Sequence, residues 1–216
     1  MGEGEMARLL DPGLETLAQM LSKMGKLART TVSEALDSFL RRKHLHKRVR
    51  ADSDILLGLG VEIEGKAVEL LARYQPMAKD LRLIKSYIKI SYDYSRLGRY
   101  AYDITETEEV FEEKEPCDRT FIEEMGSKVL ALIDTSLEAV ARMDSDLARK
   151  LSEKDDEVDD MYHRYLEESL TDGKYSMPCL AGNLFVARHL ERIADHCVYM
   201  GESIIYAVTA ERVVLG

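Results

Sequence analysis

Apolar residues recur at three- and four-residue spacings along most of the chain, which is the periodicity of amphipathic helices. The clearest stretch, residues 14–43, has this pattern at Leu17, Met20, Leu21, Met24, Leu27, Val32, Ala35, Leu36 and Leu40. No segment alternates as a strand would. The further predicted helices cover residues 52–73, 76–110, 118–150, 152–173 and 178–208.

Prolines and one serine suggest where these helices begin. Pro12, Pro76, Pro116 and Pro178 precede or open predicted helices, and proline is tolerated in a first helical turn. Ser152 is predicted to cap the fifth helix, with Asp155 three residues later. Gly173 is predicted to end that helix.

The composition agrees with an all-α protein. The 216 residues are 45% hydrophobic and 32% charged, with no tryptophan and only four prolines. A net charge of −10 argues against nucleic-acid binding, and no apolar run reaches membrane-spanning length. Three dispersed cysteines, Cys117, Cys179 and Cys197, predict thiols in a reducing cytoplasm and no disulfide.

Six helices suggest that a three-helix unit is repeated. SRLGR at residues 95–99 aligns with ERIAD at residues 191–195. The predicted fold is therefore two tandem three-helix bundles, covering residues 1–113 and 114–216.

Residues 41–50, RRKHLHKRVR, form a basic exception in this acidic chain. Basic residues suit a helix end or a turn between helices. The alternative is a docking patch for an acidic protein surface or for anionic lipid headgroups. The sequence leaves both readings open.

The sixth helix carries acids where a core helix should avoid them. Glu191 and Asp195 are one turn apart in mid-helix, and like charges at this spacing destabilise a helix by about 0.2–0.5 kcal/mol. Glu202 falls on the same line of the helix. The acids flank a predicted core stripe of Val186, Leu190, Ile193, Cys197 and Ile204.

The fifth helix supplies a second acidic row. Asp155 and Asp159 form one i, i+4 pair, and Asp156 and Asp160 form an alternative pair in the next register. Four carboxylates from two neighbouring helices suit divalent or trivalent cations. The alternatives are helix-start acids that favour the macrodipole and a row of solvated acids. His163 and His196 are interpreted as hydrogen-bonded bystanders.

Several motifs together resemble the PhoU family of phosphate-signalling proteins. They are QPMAKDLR at 75–82, the SRLGR variant, DDEVD at 155–159 and ARHLERIADH at 187–196. The sixth helix is the most specific part, because its spacing from Pro178 to Glu191 and Asp195 fits the family closely.

The resemblance implies a cytoplasmic regulatory adaptor and not an enzyme. Such proteins restrain phosphate uptake and the starvation response by contacting the ATPase subunit of the phosphate ABC transporter and, in many bacteria, a sensor histidine kinase. Contact with the transporter would place the chain at the membrane periphery. Many members also bind multinuclear iron or zinc clusters, and the implied ligands here are Asp155, Asp159, Glu191 and Asp195, with Asp156, Asp160 and Glu202 as alternates.

The first repeat departs from the family pattern. Ser95 and Arg99 stand where the family has carboxylates, and the partner slot to Asp54 falls near Leu57 or Gly58. One cluster, in the second repeat only, is therefore expected. In the first repeat, Arg99 is expected to supply a fixed positive charge at the position where the second repeat would use a metal.

Two other functions remain as alternatives. A ferritin-like di-iron carboxylate protein would need a second D/E-x-x-H motif besides Asp160 to His163, and the sequence offers no good one. The second alternative is a metal-free helical bundle that regulates another ion transporter. Whether the chain forms a homodimer, and whether phosphate binds at an open coordination position, are hypotheses.

Overall fold

A computed structural model of the chain describes residues 3–111, 117–171 and 176–216. These residues form six helices and no strand, which confirms the predicted all-α class. The helices are α1 (Glu3–Arg41), α2 (His46–Tyr74), α3 (Ala78–Val110), α4 (Thr120–Arg142), α5 (Ser145–Thr171) and α6 (Met177–Thr209).

The helices pack as two groups of three around a continuous core. Helices α1, α2 and α3 contact one another, and so do α4, α5 and α6. The groups are joined by contacts of α3 with α6 and of α1 with α4. The predicted repeat boundary at 113/114 lies outside the described residues.

The core stripe predicted for α6 is confirmed, because all five of its members are completely buried. Burial of such apolar side chains is the main favourable term in folding. It fixes the rotation of α6, so that Glu191 and Asp195 lie beside the core and remain partly exposed. The stripe consists of Val186, Leu190, Ile193, Cys197 and Ile204.

The predicted start of the first helix is wrong. Pro12 lies inside α1, which begins at Glu3, and the Thr16 hydroxyl donates a 2.7 Å hydrogen bond to the Pro12 carbonyl oxygen. Leu10 is only 3% exposed, seven residues before fully buried Leu17. The apolar face therefore extends past the proline, and its burial offsets the missing backbone hydrogen bond.

The predicted junction of the fourth and fifth helices is also wrong. The break falls at Met143 and Asp144, where Met143 adopts a left-handed φ of 48°. The Asp144 carboxylate accepts 2.9 Å hydrogen bonds from the backbone N–H groups of Asp146 and Leu147, which is N-cap geometry. Ser152 is inside α5 and donates a 2.7 Å hydrogen bond to the Leu215 carbonyl oxygen.

The prediction that all three cysteines are free thiols is wrong for two of them. Cys117 and Cys179 form a disulfide, with Cα atoms 5.6 Å apart, while Cys197 is free and buried. Folding brings the residues before α4 and the first turn of α6 together. The 62-residue separation hid this proximity from the sequence.

Candidate functional site

The acids of α5 separate into an inward pair and an outward pair. Asp155 follows fully buried Leu151 by four residues and precedes fully buried Val158 by three, so helical periodicity turns it inward. Its exposed fraction is 4%, and Asp159, one turn later, is half-buried. The alternates Asp156 and Asp160 are exposed.

The inward pair of α5 meets the acidic row of α6. Burial, followed by the negative charges of Asp159, Asp195, Asp156 and Glu191, raises the pKa of Asp155 to about 7. Burial and then the charge of Asp195 likewise raise the pKa of Asp159. The structure thus brings Asp155, Asp159, Glu191 and Asp195 into one acidic cluster.

The acidic cluster contains unpartnered buried oxygens. Asp155 Oδ1, Asp159 Oδ1 and Glu191 Oε2 are shielded from water and make no hydrogen bond. Burial and the neighbouring Asp195 raise the pKa of Glu191, against the lowering effect of Arg188. Buried polar atoms without partners are uncommon in folded proteins, so this cluster favours a positively charged occupant.

Two arginines of α6 supply part of the compensating charge. Arg188 donates a hydrogen bond to Glu191, and Arg192 donates one of 3.1 Å to Asp195. Both pairs span three residues on one helix. These two ion pairs reduce the repulsion between Glu191 and Asp195 within α6. Neither arginine forms a hydrogen bond with the unpartnered oxygens of Asp155 and Asp159 on α5.

The cluster has the donor chemistry of a site for hard cations, which take carboxylate oxygens as ligands. In the part of the chain that the structure describes, however, no three His, Cys, Asp or Glu side chains are arranged to hold a metal ion. Glu191 and Asp195 are instead paired with Arg188 and Arg192 on the same helix. Asp155, Asp159, Glu191 and Asp195 are the residues that would hold a metal, and that ligand set stays a prediction.

The alternate ligands Glu202 and Asp160 lie outside the acidic cluster, among other side chains. Glu202 accepts a 3.2 Å hydrogen bond from the Leu215 backbone N–H and lies 3.8 Å from Lys89 Nζ. Asp160 lines a groove on the α4 side of α5, together with Lys128 and Arg164. Neither residue belongs to the acidic cluster.

A buried Asp93–His196 pair was missed by the sequence reasoning. Asp93 of α3 is 1% exposed, and its Oδ1 lies 2.9 Å from His196 Nδ1 of α6. Burial raises the pKa of Asp93, although His196 opposes the effect. The expectation that His196 is hydrogen-bonded is confirmed. Asp93 falls three residues after buried Ile90, which is the signal that could have revealed it.

The first repeat presents an apolar cleft where the second presents acids. Leu57 and Ser95, from the two degenerate motif positions, line a cleft of about 510 Å³ between α2 and α3. Leu57 is 62% exposed and Val61 is 65% exposed. Arg99, expected to supply a fixed charge, lies 3.3 Å from Asp103 and is held by that pair.

The basic stretch at 41–50 largely faces carboxylates. Arg41 and Lys43 pair with Asp37, and Arg48 pairs with Glu34 at 2.6 Å. These contacts favour the reading of a turn between helices. The docking alternative stays a prediction.

The ferritin-like alternative gains no support from its one motif. Asp160 and His163 are both exposed on α5, whereas the ferritin-like di-iron centres lie inside the bundle. Among the described residues, no helix is long and apolar enough to span a bilayer.

Comparison with protein families gives one match that covers both halves of the chain. The family model described as the PhoU domain matches residues 21–107 and again residues 122–204. The first match contains α2, most of α3 and about half of α1, and the second contains α5 and most of α4 and α6.

Individual relatives align over nearly the whole chain. The chain is 32% identical over 212 residues to the phosphate-specific transport system accessory protein PhoU homolog of Clostridium acetobutylicum, covering 95% of this chain and 97% of that protein. It is 34% identical over 205 residues to the homolog of Caulobacter vibrioides, covering 92% and 89%.

Solved structures agree with the fold. The crystal structure of PhoU from Pseudomonas aeruginosa superposes with a TM-score of 0.88 at 30% identity, covering 93% of this chain and 99% of that one. The PhoU structure from Streptococcus pneumoniae gives the same TM-score at 24% identity, covering 95% and 99%.

Proposed function

This chain belongs to the PhoU family, and from that premise we propose that it is a regulatory adaptor that restrains phosphate uptake and phosphate-starvation signalling. Its relatives are named accessory proteins of the phosphate-specific transport system, which supports a role in regulating phosphate transport. The proposed partners are the ATPase subunit of the phosphate ABC transporter and, where present, a sensor histidine kinase. Both contacts would take place in the cytoplasm, at the membrane periphery.

The acidic cluster is proposed to bind a multinuclear iron or zinc cluster in the second repeat. The observation that carries this proposal is the set of unpartnered buried oxygens on Asp155, Asp159 and Glu191. A bound cation would satisfy these oxygens and remove their mutual repulsion. Holding α5 against α6 would be the structural consequence, and no catalytic step is needed.

The metal proposal is tested by elemental analysis of purified protein after iron or zinc has been supplied. The variants are Asp155→Asn/Asp159→Asn and Glu191→Ala/Asp195→Ala. The matched control is Asp156→Asn/Asp160→Asn, which removes the same charge from the exposed register of the same helix. We expect the first two variants to lose metal and the control to retain it. Equal metal content in all four proteins would contradict the proposed ligand set.

The adaptor proposal needs a separate readout. Tagged protein should capture the ATPase subunit from cells grown with ample phosphate, and deletion of the gene should raise phosphate uptake under that condition. Normal uptake in the deletion strain, with no captured ATPase, would contradict the proposal whatever the metal content.

A further inference from the structure

A third cleft, separate from the acidic cluster, lies where α3 faces α6. It adjoins the apolar cleft, with which it shares Lys85 and Lys89. Residues 212–214, which follow α6, form one wall of it, and its volume is about 320 Å³. The polar residues that line it are Lys85, Ser86, Lys89, Glu202, Ser203, Tyr206 and Arg212. The cleft therefore gathers three cations in a chain whose net charge is −10.

Two of these cations have no carboxylate partner among the described residues. Lys85 Nζ lies 5.2 Å from the centre of the Tyr206 ring, and the Arg212 guanidinium lies 5.7 Å from the same ring. No ion pair is formed by either residue within the described part of the chain, whereas arginines elsewhere pair with Glu34, Asp37 and Asp134. The Tyr206 ring thus holds two unneutralised cations at the same cleft.

The single carboxylate in the cleft is already engaged. Glu202 lies 3.8 Å from Lys89 Nζ and accepts a hydrogen bond from the Leu215 backbone N–H. It neutralises at most one of the three cations. The cleft keeps a net positive charge of about two, which favours an anion.

The cleft also contains an unpartnered buried hydroxyl. Ser86 is 2% exposed, and its Oγ has no hydrogen-bond partner. Ser203, 4% exposed, donates to the Tyr199 carbonyl oxygen at 2.9 Å. A buried hydroxyl without a partner costs free energy, and a ligand oxygen would satisfy it.

We propose that this cleft is a binding site for a small phosphoryl oxyanion, either inorganic phosphate or the phosphoryl group of a small organic phosphate. Such a group offers three or four acceptor oxygens to Lys85, Arg212 and the Ser86 hydroxyl, where a carboxylate offers two. Charge-assisted hydrogen bonds of this kind are the strong ones. The inference holds whether or not the acidic cluster binds metal, because the two sites share no residue.

The site is tested by isothermal titration calorimetry with inorganic phosphate at constant ionic strength, and with AMP as the organic phosphate. Wild type is compared with Lys85→Gln/Arg212→Gln and with the charge-matched control Lys23→Gln/Lys79→Gln, which removes two exposed lysines elsewhere. We expect one saturable site in wild type for at least one of the two probes. The dissociation constant should rise at least tenfold in the cleft variant and less than twofold in the control.

The Ser86→Ala variant adds a readout that does not depend on surface charge. It should weaken binding severalfold, while the thermal midpoint of the ligand-free protein stays unchanged or rises, because an unsatisfied hydroxyl is removed. Saturable binding of AMP alone, lost in the cleft variant, would assign the site to organic phosphates. The absence of saturable binding for both probes, or equal weakening in the cleft variant and the control, would overturn the proposal.

Discussion

The second and third helices of each repeat pack together in both halves of the molecule, yet their outer faces differ in chemistry. Between α5 and α6 lies the acidic cluster, in which three of the carboxylates have unpartnered buried oxygens. Between α2 and α3 the corresponding surface is an apolar cleft lined by Leu57, Val61 and Tyr92. The apolar core has the same periodicity in both repeats, so the difference is confined to positions that the core does not use.

This contrast shows that packing and function draw on different positions of the same helices. Val158 and Ile193 are fully buried in the second repeat, as Leu56 and Leu97 are in the first. The positions one helical step away are free to carry acids or apolar groups. The repeats can therefore keep one fold while presenting different surfaces to ligands and partners.

The largest predicted effect concerns a cross-link that only the second repeat has. All three cysteines follow residue 113, and Cys117–Cys179 closes a loop across 62 residues. Loss of loop-closure restraint in Cys117→Ser/Cys179→Ser should lower the free energy of unfolding by about 4 kcal/mol. Urea denaturation followed by circular dichroism would measure it.

Wild type denatured in the presence of reductant serves as the control for the cysteine variant. The two should have the same midpoint, since both lack the bond. A variant as stable as oxidised wild type would show that the cross-link does not distinguish the repeats.

The second prediction concerns pH and the buried charge of the acidic cluster in metal-free protein. Asp155 has a pKa of about 7 in the folded chain and an ordinary value of 3.8. Between these values the folded state retains a proton that the unfolded state has released. The free energy of unfolding should therefore fall as pH rises from 4 to 7, by on the order of 3 kcal/mol.

Asp155→Asn should flatten this pH dependence, because the amide does not titrate. Asp54→Asn, at an exposed position of α2, is the matched control from the first repeat and should leave the slope unchanged. Chelator-treated protein unfolded in urea at several pH values would give both slopes. A slope unaffected by Asp155→Asn would place the titrating group elsewhere.

Much of this contrast could be predicted from sequence, because like charges at Glu191 and Asp195 stand out in an apolar helix. The family resemblance implies Asp155/Asp159, with Asp156/Asp160 as alternates, and the apolar positions Leu151 and Val158 favour the same register. The six helices followed from periodicity alone. Two boundaries did not, because burial of the apolar face carries α1 past Pro12 and because the left-handed Met143 and the Asp144 cap separate α4 from α5.

Long-range pairs lay beyond the reach of sequence periodicity. Asp93 meets His196 across 103 residues, and Cys117 meets Cys179 across 62. Each member alone looks like an ordinary buried or surface residue. Only the contact of α3 with α6, and of the start of α4 with that of α6, reveals the partner.

The third prediction compares two close helix crossings. A Cβ added at Gly201 of α6 would lie 3.0 Å from the Ala148 carbonyl oxygen of α5. For a Cβ added at Gly98 of α3, the three nearest atoms all belong to the side chain of Leu56, the closest at 2.5 Å. A backbone carbonyl has less freedom to move than a leucine side chain. Gly201→Ala should therefore lower the free energy of unfolding by about 1–3 kcal/mol, and Gly98→Ala should lower it by less.

Thermal unfolding of the Gly201→Ala and Gly98→Ala variants under identical conditions would show which substitution lowers stability more, and so which helix crossing is more tightly packed. Metal content of the Gly201 variant adds a second readout, since α5 would be displaced from α6. A larger loss at Gly98 would mean that the α2/α3 crossing is the more tightly constrained of the two.

The smallest predicted effect is a gain of stability on the exposed face of α2. Gly58 and Gly65 lie inside α2, have no positive φ, and a Cβ at either would meet no atom within 4 Å. Alanine loses less backbone entropy than glycine on entering a helix. Gly58→Ala and Gly65→Ala should therefore each raise the free energy of unfolding by about 0.5–1 kcal/mol, measurable by urea denaturation. Retained capture of the transporter ATPase would show that neither glycine serves partner binding, and lost capture with gained stability would assign the α2 face to the partner.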